Sequence, residues 1–337
     1  MDAAAESKNS FIKDVYTQAW CAHFFKQHNS MHGKTFLITG ASRGIGQAIA
    51  RLCAYWGARV LLTARDDVSI NALLVELHQL YGDVGHRAYK MDLADFASID
   101  MASQAIAADR HSIDGVFANA GIAADADART ETGYNRTFFV NHIGHYAFLA
   151  KILPLLGHGV ASRIVMQSSI RHWSAVKYTD FSCYFSKQYC ALPSAYADSK
   201  FANVAFAMYL DNLCTLHKKD IRVLSAHPGY VLTDINKYAH DISLASMLYN
   251  SISGQWSRLV LQTIPKLGLA QPSIYAGALP SLFAMFAENP DCYYGPQGFL
   301  GLCGMPAVAR MHKCAQKVQI QTDLWHKTEQ FTEIQYF

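Results

Sequence analysis

At 337 residues, 51% hydrophobic and 16% charged, the chain has ample material for a large buried core and too few charges for a disordered one. A formal charge of +3 with no run of basic residues excludes the electrostatic footprint of a nucleic-acid binder. Eight cysteines without a C-x-x-C pair argue against a zinc site or a thioredoxin-type redox motif, and fit reduced, core-filling thiols.

The first twenty residues, MDAAAESKNSFIKDVYTQAW, carry scattered charges and no apolar core of signal-peptide length. No stretch reaches the roughly 18 uninterrupted apolar residues of a membrane span. A cytoplasmic protein is expected, with peripheral contact to a membrane surface left open. In residues 1–33, Ile12, Tyr16, Trp20 and Phe24 recur every four residues, the pattern of an amphipathic helix. That face is expected to pack on the body or on a second subunit, a membrane surface being the alternative.

From Lys34 onward, short apolar runs alternate with helical patterns. Strands are predicted at 34–39, 58–64, 86–92, 114–120, 162–168 and 220–226, and helices at 45–57, 66–81, 95–110, 130–156 and 195–217. Near-continuous apolar strands suit a parallel sheet buried on both faces. The alternation gives an α/β, doubly wound parallel sheet with right-handed crossovers, a Rossmann fold. The domain is set at 34–305, with a C-terminal segment at 306–337. Residues 170–193 form a long Tyr- and Ser-rich connection, of a length that usually carries function. Residues 235–270 place Leu244, Met247, Leu248, Ile252, Trp256, Leu259 and Val260 on one helical face, an apolar lid.

TGASRGIG (39–46) follows the first strand and opens the first helix. Gly40 permits a tight exit from the strand, while Gly44 and Gly46 allow close approach of a pyrophosphate to a helix N-terminus. Ser42, Arg43 and Ile45 complete the loop. Further on, SAYADSK (194–200) sets Tyr196 and Lys200 just over one helical turn apart, on one face. An ammonium beside a phenol favours the phenolate and makes it a usable proton donor and acceptor. His142 and His145, three apart, raise a zinc reading that lacks a cysteine or carboxylate at ligand spacing; no metal is expected.

The glycine spacing resembles that of the short-chain dehydrogenases/reductases, and the likeness extends over most of residues 34–305. It implies that Tyr196 is the general acid/base and that Lys200 lowers its pKa and bonds the nicotinamide ribose. It further implies that Ser169 (in preference to Ser168) bonds the substrate oxygen and that Asn141 holds a water in the proton relay. Asp92, with Leu93 beside it, falls where the family contacts adenine. Asn119, Ala120 and Gly121 match the last three positions of an N-N-A-G motif, whose first Asn is replaced by Ala118. In AHPGYVLTD (226–234), Pro228, Gly229 and Val231 are implied to shape the nicotinamide pocket, and Thr233 to bond the carboxamide or pyrophosphate. His172 is expected to line the pocket.

NAD-binding folds place an acid at the end of the second strand; here Ala64 stands there and Arg65 follows. Arg65 and Arg43 suit a 2′-phosphate, so the expected cofactor is NADP(H) rather than NAD(H). VNHIGHYAFL and NPDCYYGPQGFLG resemble the retinol dehydrogenase and protochlorophyllide reductase branch, the former being nearer. The expected function is hydride transfer between the nicotinamide and an apolar carbonyl/alcohol pair. A non-catalytic NADP(H)-binding regulator or scaffold is the competing reading. The family implies a homodimer paired through the helices at 130–156 and 195–217.

Overall fold

The computed structural model describes residues 17–22, 31–109, 112–123, 128–157, 161–175, 180–187, 194–231, 270–288 and 290–337. Ile12, Tyr16, Phe24, Thr233 and nearly all of the expected lid lie outside them. Eight strands form one sheet in the order β3-β2-β1-β4-β5-β6-β7-β8. They are β1 Thr35–Thr39, β2 Arg59–Ala64, β3 Arg87–Lys90, β4 Gly115–Ala118, β5 Ser162–Gln167, β6 Ile221–Ala226, β7 Tyr293–Pro296 and β8 Pro306–Val308. Neighbouring strands from β3 through β7 pair in parallel, and β8 pairs antiparallel to β7. The helices are α1 Gly44–Tyr55, α2 Asp67–Tyr81, α3 Phe96–Ala108, α4 Gly144–Ile152, α5 Ala195–Leu216, α6 Ile274–Phe286 and α7 Val318–Thr332. All six predicted strands are present; β7, β8 and α7 are additions to the predicted set.

Strand side chains alternate between two cores because successive Cβ atoms leave opposite faces. Phe36 and Ile38 join Ile49 and Leu52 of α1, Leu73 of α2 and Leu279 of α6. Leu37 joins Ile99 of α3, Phe148 of α4 and Leu210 of α5. Covered on both faces, the strands read as the apolar runs that betray them. Trp20 and Cys21, in the helical piece 17–22, are buried in the first of these cores.

Polar groups pin the sheet where it would otherwise fray. Asp114 accepts from Lys34 Nζ at 2.9 Å and from the Thr35 amide at 2.8 Å, fixing the entry of β1 against β4. Arg163 on β5 donates to the carbonyls of Ala284 and Met285 at 3.1 and 2.9 Å. Those are end carbonyls of α6, which have no partner within the helix.

The C-terminal segment lies on the face where pairing of subunits was expected. Trp325 of α7 stacks on Phe206 of α5, centroids 5.7 Å apart and planes at 9°. Tyr146 of α4 donates to the Ile334 carbonyl at 3.0 Å, and Tyr336 donates back to the Tyr146 carbonyl at 2.7 Å. The chain's own terminus therefore packs on α4 and α5, the helices through which pairing was expected. Cys183 is disulfide-bonded, unlike the wholly reduced thiols expected from composition; the six other described cysteines are free. Because Trp325 is almost fully buried, Trp325→Ala is expected to lower stability by about 3–5 kcal/mol, read as a reduced denaturant midpoint. An unchanged midpoint would show that α7 adds nothing to the cooperative fold.

Candidate active site

The strand order reverses direction between β1 and β4, and their carboxyl ends form the crevice in which such sheets bind ligands. Thr39, the last residue of β1, leads into the glycine loop. Gly40 has φ +67°, and a Cβ on Gly46 would lie 2.4 Å from the Gly40 carbonyl oxygen and 2.5 Å from Asn119 Nδ2. Only glycine fits at that approach. Asn119 Nδ2 donates to the Thr39 carbonyl at 3.0 Å, and the Ala120 amide donates to Thr39 Oγ1 at 2.9 Å. The loop after β4 therefore buttresses the loop after β1, and the Ala118 replacement leaves this contact intact.

At the end of β2, Ala64 is buried and Arg65 exposed, while Arg43 is exposed at the N-cap of α1. The first acid after Arg65, Asp66, caps α2 by accepting from the Ser69 amide at 3.2 Å. The Ser69 hydroxyl and amide hold its carboxyl below the usual range. Asp92 is half-buried; its Oδ1 accepts from the Ala94 amide at 2.9 Å, so the turn through Leu93 is fixed.

Tyr196 sits half-buried in the first turn of α5, and Lys200 is buried one turn on. The Lys200 ammonium is 5.7 Å from the Tyr196 ring centroid and donates to the Gln167 carbonyl at 3.1 Å. A Cβ on Gly121 would meet Lys200 Nζ at 3.0 Å and Asn141 Oδ1 at 3.3 Å. Burial pulls the Lys200 pKa from 10.5 down to about 8.

Asn141 lies in a π-helical turn, Phe139–Ile143, that interrupts the predicted helix at 130–156; such wide turns recur at functional sites. Its Oδ1 accepts from the Ile122 amide at 2.8 Å, and its Nδ2 donates to the Ile122 carbonyl and to Ser199 Oγ, both at 2.9 Å. Ser199 Oγ in turn donates to the Tyr196 carbonyl at 2.7 Å. Thr39 and Ser199 join the expected residues in this network; they lie inside TGASRGIG and SAYADSK, where no local signal marks them.

The two serines differ. Ser168 Oγ donates to the Lys200 carbonyl at 2.9 Å, whereas Ser169 opens the turn after β5 and its Oγ accepts from the Arg171 amide at 3.2 Å. His172 departs from the expected pocket lining: it is fully buried. Its Nδ1 bonds the Ser169 carbonyl at 2.7 Å, and its Nε2 accepts from the His312 amide at 3.1 Å. Burial pushes its pKa down to about 4. On the far side, Gln271 ties Pro228 to Gly304, and the Tyr230 amide donates to the Leu302 carbonyl at 2.7 Å. Val231 is buried against Gly277 of α6.

With this geometry, residues 34–242 match the family model described as short chain dehydrogenase. The chain belongs to the short-chain dehydrogenases, and it is an oxidoreductase of alcohol and carbonyl groups. It is similar to mouse (Mus musculus) retinol dehydrogenase 14, 31% identical over 265 residues, which cover 75% of each chain. A crystal structure of an uncharacterised protein from Mycobacterium paratuberculosis superposes with TM-score 0.67 at 26% identity, covering 91% of this chain and 96% of the other. A short-chain dehydrogenase from Escherichia coli CFT073, solved with NADPH, shares the fold at TM-score 0.52 and 24% identity, over 63% of this chain and 83% of that one. Among the described residues no helix is long and apolar enough to cross a membrane.

The depressed Lys200 pKa has a defined signature in stability. The unfolded chain keeps this proton up to 10.5 while the folded chain releases it from about 8. Stability from this group therefore rises with pH between those values and is lost as pH falls through the lower one. Relative to Lys200→Met, the unfolding free energy is expected to climb across that window by up to about 1.4 kcal/mol per pH unit. Parallel pH curves for the two proteins would place the Lys200 titration elsewhere.

Proposed function

We propose that the protein is an NADP(H)-dependent oxidoreductase of an apolar carbonyl/alcohol pair, with Tyr196 as general acid/base. The observation that carries this is the Lys200 ammonium, buried 5.7 Å from the Tyr196 ring and packed against Gly121. Bound NADP(H) supplies or accepts the hydride. The glycine loop fits the group sterically: a Cβ on Gly44 would meet nothing within 4 Å, so the backbone there is open to a phosphate, while Gly46 lets the helix close on Gly40 and Asn119. Gly40, Ser42, Gly44, Ile45 and Gly46 would hold the pyrophosphate, and Arg43 and Arg65 the 2′-phosphate. Asp92 and Leu93 would meet the adenine. Asn119, Ala120, Gly121 and Lys200 would lie along the ribose, with Pro228, Gly229, Val231 and Thr233 beside the nicotinamide.

In this reading Tyr196 donates its phenolic proton to the carbonyl oxygen during reduction and takes it back during oxidation. Lys200 lowers the cost of the phenolate. The Ser169 hydroxyl bonds the same substrate oxygen as charge develops there. Asn141 orders the turn behind Lys200, where a water of the relay would sit. An apolar substrate is supported by exposed Trp173, Phe299 and Leu300 on the loops after β5 and β7. The retinol named in the mouse relative is of that class.

NADPH absorbance is expected to fall on adding apolar aldehydes or ketones, and Tyr196→Phe to slow this about 100- to 10,000-fold without loss of NADPH binding. Tight NADPH binding with no turnover across a broad panel would favour the regulator reading. For the choice of cofactor, Arg65→Ser is expected to weaken NADPH about tenfold and leave NADH unaffected. Equal effects on both would remove Arg65 from the 2′-phosphate site.

A further inference from the structure

His145, three residues after His142 in the pair first weighed as zinc ligands, is completely buried in the first turn of α4. Its two ring nitrogens face different parts of the site. Nδ1 lies 3.0 Å from the Asn141 carbonyl oxygen, and Nε2 lies 3.0 Å from Thr39 Oγ1. A carbonyl only accepts, so Nδ1 carries the proton and Nε2 accepts from the Thr39 hydroxyl. Thr39 Oγ1 in turn accepts from the Ala120 amide at 2.9 Å. Every hydrogen-bonding position of a neutral imidazole is thereby used.

The line continues in the other direction. Asn141 Nδ2 donates to Ser199 Oγ at 2.9 Å, and Ser199 Oγ donates to the Tyr196 carbonyl at 2.7 Å. One connected path thus runs from the residue that begins the glycine loop, through the imidazole and the π-helical turn, to the backbone of the tyrosine. Thr39, Asn141 and Ser199 are all fully buried, so no water competes for these bonds.

We propose that His145 is a positioning residue that couples the glycine loop to the Tyr196 turn, holding Thr39 with one nitrogen and the Asn141 carbonyl with the other. This rests on the function proposed above for the loop and for Tyr196. Neutrality belongs to the role: burial and the nearby Lys200 charge push the His145 pKa down to about 4. A protonated ring would face the Thr39 hydroxyl with a donor where an acceptor is needed, and would set a second cation near Lys200.

The two bonds separate with two conservative variants. The amide nitrogen of His145→Asn takes the place of Nδ1 and keeps the Asn141 bond, while Thr39 is lost. The amide of His145→Gln reaches to Nε2 and keeps Thr39, while Asn141 is lost. His145→Asn is expected to lose more in NADPH affinity, about tenfold, than in kcat. His145→Gln is expected to lose about tenfold in kcat and less in affinity. A residue that only fills space would move both parameters together with the melting temperature, or neither; either pattern overturns the proposal.

Amide chemical shifts of the same variants, recorded without cofactor, separate failure of this coupling from failure of the functional reading. The Asn variant is expected to shift residues 39–46 and 120, and the Gln variant 196–200. If those segments respond as stated while the wild type neither binds NADPH nor turns over, the coupling stands and the functional reading falls. If neither segment responds, the coupling is wrong whatever the activity.

Discussion

An ammonium buried without a carboxylate is the constraint around which this site is built. Among the described residues no acid pairs with Lys200; its charge is met by the Gln167 carbonyl and the face of Tyr196. Removing such a charge from water costs several kcal/mol, and the fall of its pKa to about 8 expresses that cost. The dipoles offsetting it come from parts of the fold that cannot drift. Gln167 ends β5, which sits mid-sheet between β4 and β6, and Tyr196 stands in the first turn of the long helix α5. A surface loop could not hold them to the same tolerance. The stiffness of the sheet thus holds the charge 5.7 Å from the Tyr196 ring.

Much of this was legible because strong local signals and tertiary demands agree. The glycine loop, the Tyr–Lys spacing and the apolar strands are each written in consecutive residues. What escaped depends on distant partners. β7 and β8 read as Tyr-Tyr-Gly-Pro and Pro-Ala-Val, too short and proline-marked to announce strands, and they form only as the sheet is extended past β6. In α7 the apolar residues Ile320, Leu324 and Trp325 are spaced for a helix, but its sequence is otherwise polar. The π-helical turn has no pattern of its own. His172 looked like a pocket residue because it follows the candidate serine; the Tyr293 hydroxyl and the His312 amide, over a hundred residues later, bury it.

The C-terminal segment does more than cover apolar surface. Thr328 of α7 bonds His142 Nε2 at 3.2 Å, so the π-helical turn carrying Asn141 is braced from behind. The reciprocal bonds between Tyr146 and the Ile334–Tyr336 tail fasten the following helix to the same brace. Burial of aromatic residues on this scale amounts to several kcal/mol, which fastens the C-terminal segment to α4 and α5.

The buried histidines complete the electrostatic logic. His145, His172 and His227 surround the carboxyl edge of the sheet, and burial pushes their pKa values down to about 4, 4 and 3. Each is uncharged across the neutral range, and His145 and His172 donate with one nitrogen and accept with the other. His172 joins Ser169 to the C-terminal segment, and His227 accepts from the Gly229 amide while stacking on Tyr293. A carboxylate or a lysine in these places could only accept or only donate, and would add a field that alters the phenol. Neutral imidazoles therefore tie separate parts of the chain together without adding charge beside Lys200, and in the proposed function that leaves the tuning of Tyr196 to Lys200 alone.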